Sequence, residues 1–212
     1  MTTTIRERFD AAFAALPLVA ILRGVKPDEV EPIALALYEA GFRLIEVPLN
    51  SPQAFDSLAR LARCLPADAV MGAGTVLSID AANKVQAAGG QLIVMPHADT
   101  RVIEHVKKVQ GLLCVPGAAT PTEAFACVEA GADAVKLFPA ELITPNIVKA
   151  MRAVLPRELH LLPVGGIAPH TMAAYRAAGA SGFGLGGALY APGMTAAQVA
   201  ERAEAFVVAW RN

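Results

Sequence analysis

One punctuation mark recurs along this chain: an alanine followed by glycine, with a short apolar run a few residues later. It stands at Ala40-Gly41, Ala88-Gly89, Ala130-Gly131 and Ala178-Gly179. Glycine just past a helix end accepts the left-handed conformation that stops the helix. The apolar runs, bounded by turn residues, read as strands. They lie at Leu18–Leu22, Leu44–Leu49, Ala69–Ala73, Leu92–Met95, Leu112–Val115, Ala134–Phe138, Leu159–Val164 and Gly182–Leu185. Between them, helical patterns cover about Asp28–Ala40, Pro52–Cys64, Ile79–Ala88, Thr100–Val109, Thr122–Ala130, Pro145–Val154, Pro169–Ala178 and Ala196–Trp210, several opened by proline. The spacing predicts an α/β fold: a (β/α)8 TIM barrel with an extra N-terminal helix over Thr4–Ala15, in one domain spanning residues 1–212. A doubly wound sheet uses the same alternation, but near-even spacing with no shift in composition between the halves favours the barrel.

Composition sharpens this. Hydrophobic residues make up 55% of the chain and charged residues 17%, as expected for strands covered on all sides or for a large subunit interface. A net charge of −1 with no basic block argues against nucleic acid or an anionic membrane as partner. No apolar run of membrane-spanning length escapes a charge, Gly or Pro, and the opening residues carry no signal-peptide pattern. Cys64, Cys114 and Cys127 form neither an even set nor a C-x-x-C pair. A cytoplasmic protein is the expectation.

In a barrel of this kind, functional groups gather at the C-terminal ends of the strands. Strand side chains alternate faces, so Lys136 shares a face with Ala134 and Phe138, opposite Val135 and Leu137. The same parity turns Glu46 away from Ile45 and Val47. If the aliphatic faces meet the helices, both charges point inward. A desolvated lysine loses part of its proton affinity and becomes a nucleophile, and a nearby carboxylate can relay protons for it. The bland alternatives are a snorkelling lysine and a buried ion pair.

Gly165-Gly166 and Gly186-Gly187 follow the last two strands, where barrels commonly hold phosphate on backbone N–H groups. Gly182 to Gly187 also spells G-x-G-x-x-G, but too little chain follows to supply the strand and ribose-binding carboxylate of a dinucleotide unit. Arg23 suits a substrate carboxylate or phosphate, or else a surface ion pair. Thr75 fits a carboxylate-binding hydroxyl or a helix N-cap. His97, beside Pro96, is the one histidine expected near the mouth, and the four histidines show no metal-binding spacing.

Ala20-Ile21-Leu22-Arg23-Gly24, Glu46-Val47-Pro48-Leu49-Asn50-Ser51, Gly72-Ala73-Gly74-Thr75-Val76-Leu77, Val115-Pro116-Gly117 and Lys136-Leu137-Phe138-Pro139-Ala140 together resemble the class I aldolases of 2-keto-3-deoxy-6-phosphosugar acids. The resemblance runs from about Leu16 to Trp210. It implies a lyase with Lys136 as Schiff-base nucleophile and Glu46 as proton relay. It also implies substrate contacts at Arg23, Thr75, Pro96, Phe138, Val164, Gly165, Gly166, Gly186 and Gly187, no cofactor, no metal, and a homotrimer. Pro48-Leu49-Asn50, where the gluconate branch has Thr-Leu-Arg, and Val164, where it has Thr, are similar to the galactonate branch. The implied reaction cleaves a 2-keto-3-deoxy-6-phosphogalactonate to pyruvate and D-glyceraldehyde 3-phosphate. Alternatives are the gluconate epimer, 4-hydroxy-2-oxoglutarate, or a phosphosugar-binding protein without activity. One departure stands out: Gly186-Gly187-Ala188 lacks the serine that relatives often carry there. The final helix, with Phe206, Val207 and Trp210, is expected to serve subunit contacts.

Overall fold

The computed structural model describes residues 3–212; Met1 and Thr2, part of the predicted domain span, lie outside the described residues. Helix α1 (Ile5–Ala15) leads, capped by Thr4, whose hydroxyl accepts from the Glu7 N–H while the Glu7 carboxylate accepts from the Thr4 N–H at 2.7 Å. The alternation then unfolds as β1 (Leu18–Ile21), α2 (Pro27–Glu39), β2 (Leu44–Pro48), α3 (Ala54–Cys64), β3 (Val70–Gly74), α4 (Ile79–Ala87), β4 (Leu92–Val94) and α5 (Thr100–Glu104). It continues with β5 (Leu113–Val115), β6 (Gly117–Ala118), α6 (Pro121–Glu129), β7 (Ala134–Leu137), α7 (Pro145–Arg152), β8 (His160–Pro163), α8 (Met172–Ala177), β9 (Phe183–Leu185) and α9 (Ala196–Arg211). The glycine stops at 41, 89, 131 and 179 all have φ between 89° and 107°, the left-handed region assigned to them from sequence.

Every ladder is parallel, and the sheet curls. Its hydrogen bonds form two segments, one of six strands in the order β5-β4-β3-β2-β1-β9 and one of three in the order β6-β7-β8. The predicted continuous eight-stranded ladder is therefore met only in part. The fifth run forms β5; Pro116, with no N–H to donate, ends it, and a further two-residue strand, β6, which the sequence reading did not include, follows. The eighth strand meets the ninth through a single bridge, Val164 to Gly184, before Gly165 turns away at φ 114°. Further bonds join the segments: Asp133 N–H to the Cys114 carbonyl and Ser181 N–H to the Leu161 carbonyl. The predicted helix over 100–109 ends as α5 at Glu104, and a wider π-helical turn carries the chain to Gly111. The helix predicted over 169–178 opens with a 3₁₀ turn before α8.

Two apolar cores follow from strand parity. Ile45, Val47, Val135 and Leu137 pack outward against the helices. Leu44, Val19, Val70, Leu92, Leu113, Ala134 and Leu162 face inward, together with Phe9, Ala12 and Phe13 of α1. Helix α1 thus lies across the N-terminal ends of the strands. Arg6 bonds Asp133, just before β7, at 2.8 Å, and Arg8 bonds Gln91, just before β4, at 2.9 Å. Phe206 and Val207 of α9 are buried within the chain, and Trp210 meets Phe183 edge-on at 6.3 Å. The expectation that α9 offers these residues to a neighbouring subunit is corrected: its apolar face is already used against the sheet. Among the described residues, no helix is long and apolar enough to cross a membrane.

Candidate active site

Lys136 stands on β7 between Gly117 of β6 and Leu162 of β8. Glu46 stands on β2 between Ile21 of β1 and Gly72 of β3. Both are buried, at 6% and 1% exposure, on the inward parity that the sequence predicts. They line one cavity with Phe9, Ile21, Val94 and Val164 among its apolar walls. No direct ion pair joins them, and Glu46 Oε2 has no hydrogen-bond partner, so the buried-ion-pair alternative is not the arrangement found.

Burial sets the electrostatics. Loss of hydration pushes the Glu46 carboxyl up to about 7, against the opposing pull of Lys136 and Arg23. Desolvation, the largest cause, holds the Lys136 ammonium below the usual lysine range, opposed by Glu46 and aided by Arg23. The half-buried Phe138 ring stacks under the amine, with its centre 4.5 Å from Lys136 Nζ. Near neutrality the pair supplies a lysine eased toward its nucleophilic form and a carboxyl available in both protonation states.

Lys136 also opens onto a cleft of 320 Å³ at the C-terminal strand ends. Arg23, Phe138, Val164, Gly165, Gly166, Gly186 and Gly187 line it, so seven of the nine predicted substrate contacts come together there. Arg23 is exposed, and its Nη1 donates to Asn50 Oδ1 at 2.7 Å. The Gly24 N–H donates to the buried Ser51 hydroxyl at 2.9 Å. The loops after β1 and β2 are thereby tied. Val164 borders both spaces and presents only methyl groups between the lysine and the glycines.

Thr75 and Pro96 line neither space. Thr75 takes φ 56°, and Ser78 rather than Thr75 caps α4. Pro96 packs its backbone against Gly117, the register neighbour of Lys136. His97 is exposed. Two contributors went unnoticed in the sequence. Gly74 has no side chain because Glu46 occupies that place: a Cβ there would overlap the carboxylate. The exposed Glu141 lays its carboxylate over Gly165 and Gly166, where a side chain on Gly165 would collide with it. The glycine-rich strand β3 beside an inward carboxylate was a usable signal for Gly74; Glu141 gave none. Among the described residues, no three His, Cys, Asp or Glu side chains cluster as a metal site.

Comparison with known proteins agrees with this geometry. The profile of the family described as "Aldolase: KDPG and KHG aldolase" matches residues 9–204. A probable 2-dehydro-3-deoxy-6-phosphogalactonate aldolase of Rhizobium meliloti (strain 1021) is 44% identical over 194 residues, which cover 92% of this chain and 91% of the relative. The 2-dehydro-3-deoxy-6-phosphogalactonate aldolase of Escherichia coli (strain K12) is 42% identical over 197 residues, 93% of this chain and 96% of the relative. A solved structure described as native KDPGal superposes with a TM-score of 0.90 at 42% identity, covering 92% of this chain and 95% of that one. With profile, relatives and fold matching over nearly the whole length, the chain belongs to the KDPG and KHG aldolase family.

Proposed function

We propose that this chain is a class I aldolase that cleaves 2-dehydro-3-deoxy-6-phosphogalactonate to pyruvate and D-glyceraldehyde 3-phosphate. The observation that carries the reading is one lysine, buried with one carboxylate and opening onto a cleft edged by two glycine pairs. Neutral Lys136 attacks the C2 ketone, and the carbinolamine loses water to give an iminium. Glu46 as carboxylate takes the proton of the C4 hydroxyl. The electron pair of the C3–C4 bond flows into the iminium, and the aldehyde leaves. The resulting enamine takes a proton at C3, water hydrolyses the iminium, and pyruvate and the free amine are released. Backbone N–H groups of Gly165, Gly166, Gly186 and Gly187, with Arg23, hold the phosphate after the exposed Glu141 side chain swings aside. No cofactor enters the scheme.

Val164 favours the galactonate epimer by offering no hydroxyl toward C4, and a methyl-lined wall discriminates only modestly, so some turnover of the gluconate epimer accompanies it. The linking bonds between the two sheet segments support their reading as one closed (β/α)8 barrel within a single domain. A cytoplasmic homotrimer completes the proposal, supported by apolar side chains left exposed at Leu77 and Phe125.

Pyruvate with borohydride tests the centre of this reading. A stable adduct on Lys136, absent from Lys136→Ala, is expected. An adduct on Lys149 or none at all overturns it, and the latter favours a binding protein without activity. Turnover of the two C4 epimers, measured side by side, is expected to favour galactonate; the reverse preference makes this a gluconate or hydroxy-oxoglutarate enzyme.

A further inference from the structure

The inner cavity has an unusual floor. Of the residues lining it, all but one come from strands or, like Val164, from a residue directly after one; the exception is Phe9 of α1. Its ring is 1% exposed and sits within the inward core, with Phe13 at a centroid distance of 5.6 Å. The cavity above it measures 10 Å³, room for one water at most. The inward positions of β3 level with Glu46 and Pro48 are glycines, Gly72 and Gly74, so that strand gives the cavity no side chain. At the end covered by α1, beside the inward strand residues Val19, Leu92 and Leu162, the wall is completed by Phe9, a residue outside the sheet.

Resting on the Schiff-base reading of Lys136, we propose that Phe9 is a positioning residue that seals the floor of the cavity shared by Lys136 and Glu46 and keeps water from both. The charged groups around the pair support this division of labour. Glu46 from β2 and Arg23 from the loop after β1 are the ones that act on Lys136. Those of α1 turn away: Arg6 bonds Asp10 and Asp133, Glu7 bonds Thr4, and Arg8 reaches the Ala67 carbonyl and Gln91. His160 stacks on Phe13, with centroids 4.1 Å apart. Glu141 lies over the glycine pair at the far end of the cleft. Nothing charged on α1 faces Lys136, so its influence is exclusion of water rather than charge. A breach below would rehydrate the ammonium and restore its proton affinity.

The test follows pyruvate adduct formation with cyanoborohydride across pH, on the full chain, for the wild type, Phe9→Ala, Phe9→Val and Phe13→Ala. Phe13 supplies similar apolar burial from the same helix without lining the cavity. Phe9→Ala is expected to move the midpoint of the reaction upward by about one pH unit, a roughly tenfold slower reaction near neutrality. Phe9→Val is expected to move it part of the way, and Phe13→Ala to leave it in place. Should Phe9→Ala not fold, the valine variant carries the test. An unmoved midpoint in a folded Phe9 variant overturns the proposal, as does an equal shift in Phe13→Ala, which would mean general loosening. Absence of an adduct in the wild type would instead defeat the Schiff-base reading itself.

Discussion

Glu46 is where a single residue sets the chemistry. Its carboxylate leans over Gly74, one oxygen unpartnered, and burial raises its proton affinity until the group titrates at about 7. In the proposed mechanism, a carboxyl near that value accepts the C4 proton and returns one to the enamine within the same cycle. Glu46→Gln is expected to keep the pyruvate adduct and slow cleavage by about 10²–10⁴-fold; turnover near the wild-type rate would remove Glu46 from the mechanism. The same burial has a stability consequence. The folded state holds its proton from the ordinary value of 4.5 up to about 7, while the unfolded chain has released it. Wild-type stability therefore falls across that window, and Gln, which carries no charge, escapes the loss. The variant should gain on the wild type between those pH values and then level off, by about 2–3 kcal/mol. Urea unfolding at pH 5 and pH 8 checks this, and an equal difference at both would contradict it. The inward aim of Glu46 and Lys136 was legible because strand parity admits only two faces and aliphatic neighbours claim the outer one. The place of Glu141 was not, since a long exposed side chain has many rotamers and nothing local selects among them.

Helix α1 shows what one element contributes. Its capping box and its apolar spacing at Phe9, Ala12 and Phe13 were readable locally, but its seat is fixed by residues far along the chain. Buried Asp133 accepts from Arg6 at 2.8 Å, from Lys107 at 2.8 Å and from the Cys114 N–H at 2.7 Å, joining α1, the π-helical turn and β5. Asp133→Ala leaves that N–H without its partner and Lys107 with the Leu112 carbonyl in place of a counter-charge. A loss of about 3 kcal/mol is expected in denaturant unfolding; a loss under about 0.5 kcal/mol, as for an exposed pair, would show the junction to be redundant. The π-helical turn and the break at Pro116 differ from the sequence reading for distinct reasons. A proline's missing donor is visible in any sequence, whereas a change in helical hydrogen-bonding pitch depends on how the turn meets its neighbours.

At the scale of the whole molecule, the apolar content is absorbed largely by two cores, one inside the curled sheet and one between sheet and helices. The α9 residues expected at a neighbouring subunit serve the second core, which leaves the interface of the proposed trimer to other exposed apolar side chains. Light scattering of the purified protein is expected to give three times the mass of the chain; a monomer would refute the trimer and with it the role of Leu77 and Phe125. Periodicity, glycine stops and strand parity determined by themselves the α/β alternation and the inward aim of Lys136 and Glu46, because each is a consequence of local backbone geometry. Only the tertiary structure decided that Phe9 closes the space beneath them, that Gly74 yields its place to a carboxylate, and that Thr75 and Pro96 stand outside the cleft. Those facts depend on which distant segments meet in space, and that is fixed by packing the whole chain at once.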